Sequence, residues 1–588
     1  MEADSPAVDS RRRRGTWIAI GALVLVVTAL AACLVMSWLG TYRQAERVQA
    51  DVERLRAAVG ASDWDAALGQ LPAASSAARE LASSTRGGPW RVLEAMPSVG
   101  STAVATTALT ATLADVLGAG EELAPYADRL LAGSIRGADG ALDLSAFTEV
   151  APLLNGLSVS LELAQERLAS VSTTSVREPV ASAVSEFADV AGEYAGTVAG
   201  AADIAGRVPA LLGADGSRDW LVILQNPSEA RGTGGFPGGY VILRADAGAI
   251  SVASSGTSSD LNTTAIPMAG APEDAQSLWG TELDAWNTYN LSPHFPTTGE
   301  LSAAGMAARD TPVSGVIALD PAVVAGMLAV TGPVTAMGET VTSDNVESFF
   351  LVDVYARYPD SAQRDAVSMA IVGAVLQAFL TTTWDPQTLT DAFREPAEQG
   401  RLRVWSAAPD EQDWLASTGL GGVLPTDFGP TVAVALNNSA GNKLDAFVDS
   451  SIEYAPGLCS PGRMQPSTLR IVLRNGVPAD LSNASGYYGR LDVVDGAPLS
   501  TSLLVHTYLP VDAEVTSATL DGEPVIWFGG RERNHPVSWV QIDLERGQER
   551  VLEYGFGEPT TVNPQPRVIV QPMARDTVVN VVPDPSCG

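Results

Sequence analysis

An apolar run spans Gly15 to Leu39, 25 residues without a charge, directly after the basic cluster Arg11 to Arg14. As a helix it is about 37 Å long, enough to cross a hydrocarbon core of about 30 Å. The pattern therefore predicts a membrane-spanning helix, with Trp17 and Trp38 near its two ends. The positive-inside rule places the arginines in the cytoplasm and everything after Leu39 outside. Leu30-Ala31-Ala32-Cys33 has the form of a lipobox and offers a second reading, a lipidated signal. The apolar residues continue through Leu34, Val35, Met36, Trp38 and Leu39, which favours an uncleaved single-pass anchor in the cell membrane.

After the anchor the period is helical. Val48, Val52, Leu55 and Val59 recur at steps of four, three and four, on one helical face. Further helices are expected at Val104 to Leu131, Leu144 to Val171 and Ser175 to Leu212. Gly87-Gly88-Pro89, Pro97 and Gly137 to Gly140 separate them, so the region reads as an antiparallel bundle.

The pattern changes at Asp219. Trp220 to Leu224 and Tyr240 to Leu243 read as short strands, with Gln225 to Gly239 as a glycine-rich loop between them. Asp246-Ala247-Gly248 makes a turn into Ala249 to Val252. Val316 to Leu319 is a third buried-strand candidate, leading through Asp320-Pro321 into an apolar helix. Asp344 to Leu380 reads as two helices broken around Tyr358-Pro359-Asp360. From Lys443 onward the period is two. Leu469, Ile471 and Leu473 alternate with Arg470 and Arg474; Val505, Thr507 and Leu509 with His506 and Tyr508; Val540, Ile542 and Leu544 with Gln541 and Asp543. Asp521-Gly522 and Gly547 supply turns, and the whole suggests a β-sandwich of immunoglobulin-like architecture with a structural or adhesive role.

The expected organisation is multidomain: a cytoplasmic basic tail at 1–14, a transmembrane helix at 15–39, an extracytoplasmic α-helical bundle at 40–213, an α/β (α+β) core at 214–442 and an all-β sandwich at 443–588. The 588 residues suffice for several buried cores. The formal charge of −32 excludes nucleic acid as a partner, because an acidic surface repels phosphate. Lys443 is the only lysine, and the other basic residues are arginines, the mark of a GC-rich genome. With Cys33 in the apolar run, Cys459 and Cys587 are the pair available for a disulfide in an oxidising compartment, against the alternative of two free thiols.

Hydrolase signatures are missing. There is no Gly-x-Ser-x-Gly elbow and no His-Glu-x-x-His, and His294, His506 and His535 stand apart. The stretch Arg231 to Gly239 invites a nucleotide-binding reading, but it contains Pro237, runs into a strand and lacks the lysine of a phosphate loop. It leaves a structural hairpin or an anion-binding concavity beside Arg231. The cluster Asp353 to Asp360, followed by Gln363-Arg364-Asp365, mixes charges near a helix start. It reads as a solvated face, or as a place where Arg357 and Arg364 grip phosphate with their planar forks.

Four stretches carry a resemblance to a known family: Trp220 to Gly239, Asn290 to Pro296, Gly315 to Pro321 and Asp353 to Asp360. They resemble the bacterial domain of unknown function 4012, which implies a membrane-anchored envelope protein of actinobacterial type. The order of strands, followed by an Arg-bearing helix, is also similar to the LytR-CpsA-Psr phosphotransferases. That resemblance implies transfer of a glycopolymer from a polyprenyl pyrophosphate carrier to the cell wall. By position it would make Arg231, Thr233, Gly234, Arg357 and Arg364 substrate-binding and Glu229 and Asp365 catalytic. The family's paired aspartates in the first loop have no counterpart, so no cofactor is assigned; magnesium would have only Glu229 or Asp365. Two functions follow: a phosphotransferase acting on a lipid-linked glycopolymer, or a non-catalytic envelope scaffold or binding module. The expected partners are the membrane and a polyprenyl-pyrophosphate glycopolymer or peptidoglycan.

Overall fold

The computed structural model describes residues 54, 57–58 and 64–582, except 132–135, 138–139, 268–270, 384–385, 428, 458–463, 482–485, 493–498 and 560–565. The expected anchor at 15–39, the stripe Val48 to Val59, and Cys33, Cys459 and Cys587 lie outside these residues. The chain is multidomain, mixed α and β, and falls into two units, the first being essentially residues 1–217.

In the first unit the helices are α1 (Trp64–Ser84), α2 (Gly88–Glu94), α3 (Gly100–Leu131), α4 (Leu144–Ala169) and α5 (Glu178–Leu211). The bounds of α3, α4 and α5 fall within a few residues of the expected ones. Small and branched side chains at helical spacing make the core, among them Leu109, Leu113, Leu154, Leu157, Leu161, Ala183, Phe187 and Ala191. The alanines let the helices approach closely, and Asp143 caps α4 by accepting from the Ser145 N–H.

The second unit holds a mixed sheet and a sandwich. The sheet has the order β3-β2-β1-β4-β7, with β1 (Arg218–Arg231), β2 (Gly234–Asp246), β3 (Ala249–Thr257), β4 (Gly315–Leu319) and β7 (Leu402–Ser406). β1 runs antiparallel to β2 and parallel to β4. Leu221, Ile223, Val316 and Ala318 face one layer, containing Trp286, Tyr289 and α6 (Phe295–Ala307). Val222 and Leu319 face the other, containing α7 (Pro321–Thr331) and α8 (Ser361–Thr381). Burial on both faces is why β1 and β4 read as unbroken apolar runs. Between α7 and α8 come the short hairpin of β5 (Val334–Ala336) and β6 (Glu339–Val341), then a π-helical turn at Phe349–Asp353.

The expected loop at 225–239 is a correction. β1 continues to Arg231 and β2 starts at Gly234, so most of the stretch is paired strand. Register shifts at Leu224/Gln225 and Asn226/Ala230 absorb Pro227, and the Asn226 side chain accepts from the Ser228 N–H. The glycines serve close approach. A Cβ on Gly232 would sit 2.0 Å from the Leu291 carbonyl oxygen, and one on Gly235 would sit 2.2 Å from the Asn226 carbonyl carbon. Strand propensity reads glycine as a breaker; here tertiary packing overrides it.

The sandwich packs two sheets. One has the order β13-β12-β16-β10-β9-β18, the other β14-β15-β11-β8-β17. The first comprises β9 (Val448–Ala455), β10 (Met464–Asn475), β12 (Glu514–Leu520), β13 (Glu523–Pro524), β16 (Glu549–Pro559) and β18 (Val578–Val581). The second comprises β8 (Thr431–Asn438), β11 (Thr501–Tyr508), β14 (Phe528–Glu532), β15 (His535–Leu544) and β17 (Arg567–Val570). β8 precedes the start expected at 443 and is the strand that joins this sheet to the mixed-sheet region. Asp521-Gly522 turns β12 into β13 with φ of 55° and 85°, the conformation the sequence calls for.

Among the described residues, three helical stretches are long and apolar enough to cross a membrane: Gly100–Tyr126, Leu144–Ala169 and Ser361–Thr381. The expectation of a single such segment at the N-terminus is thereby widened, in a form compatible with membrane association.

Candidate functional site

The parallel pair β1 and β4 ends at Leu224 and Leu319, and a cleft of about 120 Å³ opens just beyond those carboxyl ends. This is where α/β sheets place ligand sites. The end of β1 contributes Gln225 and Asn226, the start of α7 Asp320 and Pro321, and the π turn Phe350. Helix α8 lays Arg364, Asp365 and Ser368 along the cleft, followed by Met369 and Val372. Steps of three and four keep these residues on one helical face. The wall is therefore graded, charged and polar at the N-terminal turn of α8 and apolar beyond it, with Val324 and Leu224 opposite.

Arg364 is the one cation in that lining. Its side chain is 12% exposed, and Nη2 lies 3.3 Å from Asp365 Oδ1. The guanidinium carbon lies 4.1 Å from the Tyr487 ring centre and 5.5 Å from that of Tyr355. Its Nη1 is out of solvent and has no hydrogen-bond acceptor among the described residues. A charged donor without an acceptor is costly, so the position calls for an anion.

The other expected anion-binding residues are elsewhere. Arg231 is 5% exposed and fully used: Nη1 donates to the carbonyls of Ala230 and Asn438, Nε to that of Asn287, and Nη2 to Glu229 Oε1 at 2.7 Å. Thr233 is buried, its hydroxyl accepting from Gln225 and Asn290. Gly234 makes the turn from β1 to β2 with φ of 139°. Arg357 stands half exposed, bound to Glu339 at 2.7 Å and to Asp353 at 3.3 Å. Of the expected residues, Arg364 and Asp365 meet in the cleft; Arg231, Thr233 and Gly234 make the β-hairpin turn, and Arg357 belongs to a surface ion pair.

Glu229 belongs to a buried charge cluster. Its Oε2 accepts from Lys443 Nζ at 2.5 Å and its Oε1 from Arg231. Burial alone would raise its pKa, but Lys443 and Arg231 together hold it below the usual carboxylate value. Lys443 also stands over the Phe236 ring at 4.4 Å. Asp445 completes the cluster, accepting from the Ala230 N–H, Asn438 and Thr501; burial pushes it up to about 6. A second buried pair flanks the cleft. Asp320 caps α7 and binds Arg401 Nη1 at 2.7 Å, while Arg401 also holds Asp576.

These contacts decide the fit of magnesium. Both oxygens of Glu229 are occupied by cationic donors, and Asp320 is spent on Arg401 and the cap. Asp365 is left without a second free acid beside it, and no cluster of three metal-ligating side chains occurs among the described residues. The residues present do not fit the ion, and no step is routed through it.

The sequence reading missed Lys443, Asp445, Asp320, Arg401, Tyr355 and Tyr487. One signal existed: a single lysine in a chain that otherwise uses arginine. No curated protein and no solved structure matches the chain. Residues 215–355, which run from the start of β1 through the π turn to Tyr355 and so build much of the cleft, match the model of the family described as Protein of unknown function (DUF4012).

Proposed function

We propose that the cleft binds the anionic head of an amphiphile, with the polyprenyl pyrophosphate of a lipid-linked glycopolymer as its ligand. On this reading the protein is a single-pass, extracytoplasmic envelope component that takes part in attaching polymer to the cell wall. The observation that carries it is the graded wall of α8, from Arg364 and Ser368 to Met369 and Val372, together with the missing acceptor at Arg364 Nη1. A phosphate oxygen would supply that acceptor, and the apolar end would take the first carbons of the chain. At about 120 Å³ the cleft holds only the head and the adjoining carbons, so the rest of the lipid and the sugar lie outside it.

This favours a binding module over the transferase expected from the LytR-CpsA-Psr likeness. A clamp of three arginines would stabilise a leaving pyrophosphate. Arg231 and Arg357 are engaged with carboxylates and carbonyls, which leaves one guanidinium for the ligand.

The test is binding of polyprenyl pyrophosphate by the full-length protein in detergent, wild type against Arg364→Gln, with polyprenol and inorganic pyrophosphate as controls. Saturable binding that requires both phosphate and prenyl chain, and that Arg364→Gln weakens about a hundredfold while leaving it measurable, is the expected result. Equal binding by both proteins, or none by the wild type, overturns the proposal.

A further inference from the structure

Tyr487 does not line the cleft, yet it makes the closest ring contact with the Arg364 guanidinium, at 4.1 Å. Its ring packs 5.5 Å from that of Tyr355 at 49°, so the two tyrosines form a notch on which the guanidinium rests. The notch is built from two distant parts of the chain. Tyr355 is fixed by Asn226, whose Nδ2 donates to its hydroxyl at 2.9 Å and to the Phe350 carbonyl at 3.1 Å. Tyr487 comes from the connection between β10 and β11, where its carbonyl accepts from the Lys443 N–H at 2.9 Å. Lys443 is in turn locked to Glu229 at the end of β1. Among the described residues the Arg364 side chain has one other partner, Asp365 at 3.3 Å on the same helix.

We propose that Tyr487 is a positioning residue for anion recognition: it holds the Arg364 guanidinium on the tyrosine notch and limits its pairing with Asp365 to the one contact of Nη2 at 3.3 Å, so that its remaining donors serve the ligand. The proposal rests on the cleft being an anion site. An arginine side chain loses much rotamer freedom when it binds, and stacking on a fixed ring removes that cost before the ligand arrives. Without the ring, Asp365 is the remaining attraction, and a guanidinium drawn fully onto it competes with the incoming anion. The buried cluster of Glu229, Arg231 and Lys443 thereby acquires an indirect role, since it holds the backbone from which Tyr487 projects.

The experiment measures affinity for polyprenyl pyrophosphate on the full-length protein carrying Tyr487→Ala, Tyr487→Leu or Tyr487→Phe, each alone and combined with Arg364→Gln. Tyr487→Ala and Tyr487→Leu are expected to weaken binding about tenfold, the leucine variant keeping the packing if the alanine variant unfolds. Tyr487→Phe, which keeps the ring, is expected to stay within about twofold of wild type. Neither alanine nor leucine should weaken binding further once Arg364 is glutamine. Wild-type affinity in Tyr487→Leu, or a loss that adds to that of Arg364→Gln, overturns the positioning role while leaving the cleft reading in place. Absence of binding by the wild type overturns the cleft reading itself.

Discussion

Lys443 Nζ lies 2.5 Å from Glu229 Oε2 across 214 residues of sequence, and both side chains are buried. Removing Lys443 strips Glu229 Oε2 of its cation and leaves a buried carboxylate with Arg231 alone. Lys443→Met is expected to destabilise the second unit by about 3–5 kcal/mol. The double variant Lys443→Met, Glu229→Gln should recover part of that loss, although Arg231 then lacks its carboxylate. Urea denaturation of the four proteins measures the coupling; additive losses would contradict it.

Asp445 gives the pair's surroundings a pH signature. Its folded pKa, about 6, lies above the unfolded value near 3.8, so the folded chain holds the proton more tightly. Its contribution to stability therefore rises as pH falls through 6 toward 4. His294 and His506, both pushed down to about 3 by burial, act in the opposite direction as pH falls below 6.5. Glu229, held below its usual value, begins to lose its contribution only below about pH 4.5. Asp445 is isolated by subtracting Asp445→Asn, whose amide can keep the contacts to Ala230, Asn438 and Thr501. Relative to that variant, the wild type should gain about 1.4 kcal/mol between pH 7 and pH 5. A difference that does not change with pH would show that Asp445 does not titrate there.

The hairpin glycines separate cleanly by mutation. Gly232→Ala places a methyl against the Leu291 carbonyl and should cost at least about 1–3 kcal/mol. At Gly238 the nearest atom is Phe236 Cδ1 at 3.9 Å, an ordinary contact, so Gly238→Ala should stay within about 0.5 kcal/mol of wild type. Thermal melts of the two variants side by side make the comparison, and equal midpoints would refute it.

The cysteines give a covalent prediction. If Cys459 and Cys587 are bridged, intact mass after alkylation gains two further labels once the protein has been reduced and denatured. Three labels, Cys33 included, taken up by the denatured, unreduced protein would exclude the bridge.

Parts of this molecule could be read from the sequence because one face of an element meets water. β10 buries Leu469, Ile471 and Leu473 and exposes Arg470 and Arg474 on its other face, so its period is visible. β11 shows the limit of that rule. His506 alternates with apolar residues, yet it too is buried, at 4% exposed with its ring 4.4 Å from that of Trp279, because the mixed-sheet region covers the sandwich there. The length of the strands in the glycine-rich hairpin is hidden for a related reason: its glycines answer to the Leu291 carbonyl and the Asn226 backbone, which no local pattern reveals. For the site, Arg364 and Asp365 were legible as charges near a helix start. Tyr487 and Lys443 were not, since their importance lies in contacts made across more than 120 residues of chain.

The order of synthesis gives these long-range contacts a consequence for biogenesis. When the segment matched by the family model has emerged as far as Tyr355, Glu229 still lacks Lys443, the Ala230 N–H lacks Asp445, and Asp320 lacks Arg401. Those partners arrive later, and β8 with them. A fragment ending at residue 355 is thus expected to remain a substrate for proteases and chaperones rather than a functional piece. Helix α8, which brings Arg364 and Asp365 to the cleft, also follows residue 355, so anion binding would report that synthesis has passed that helix.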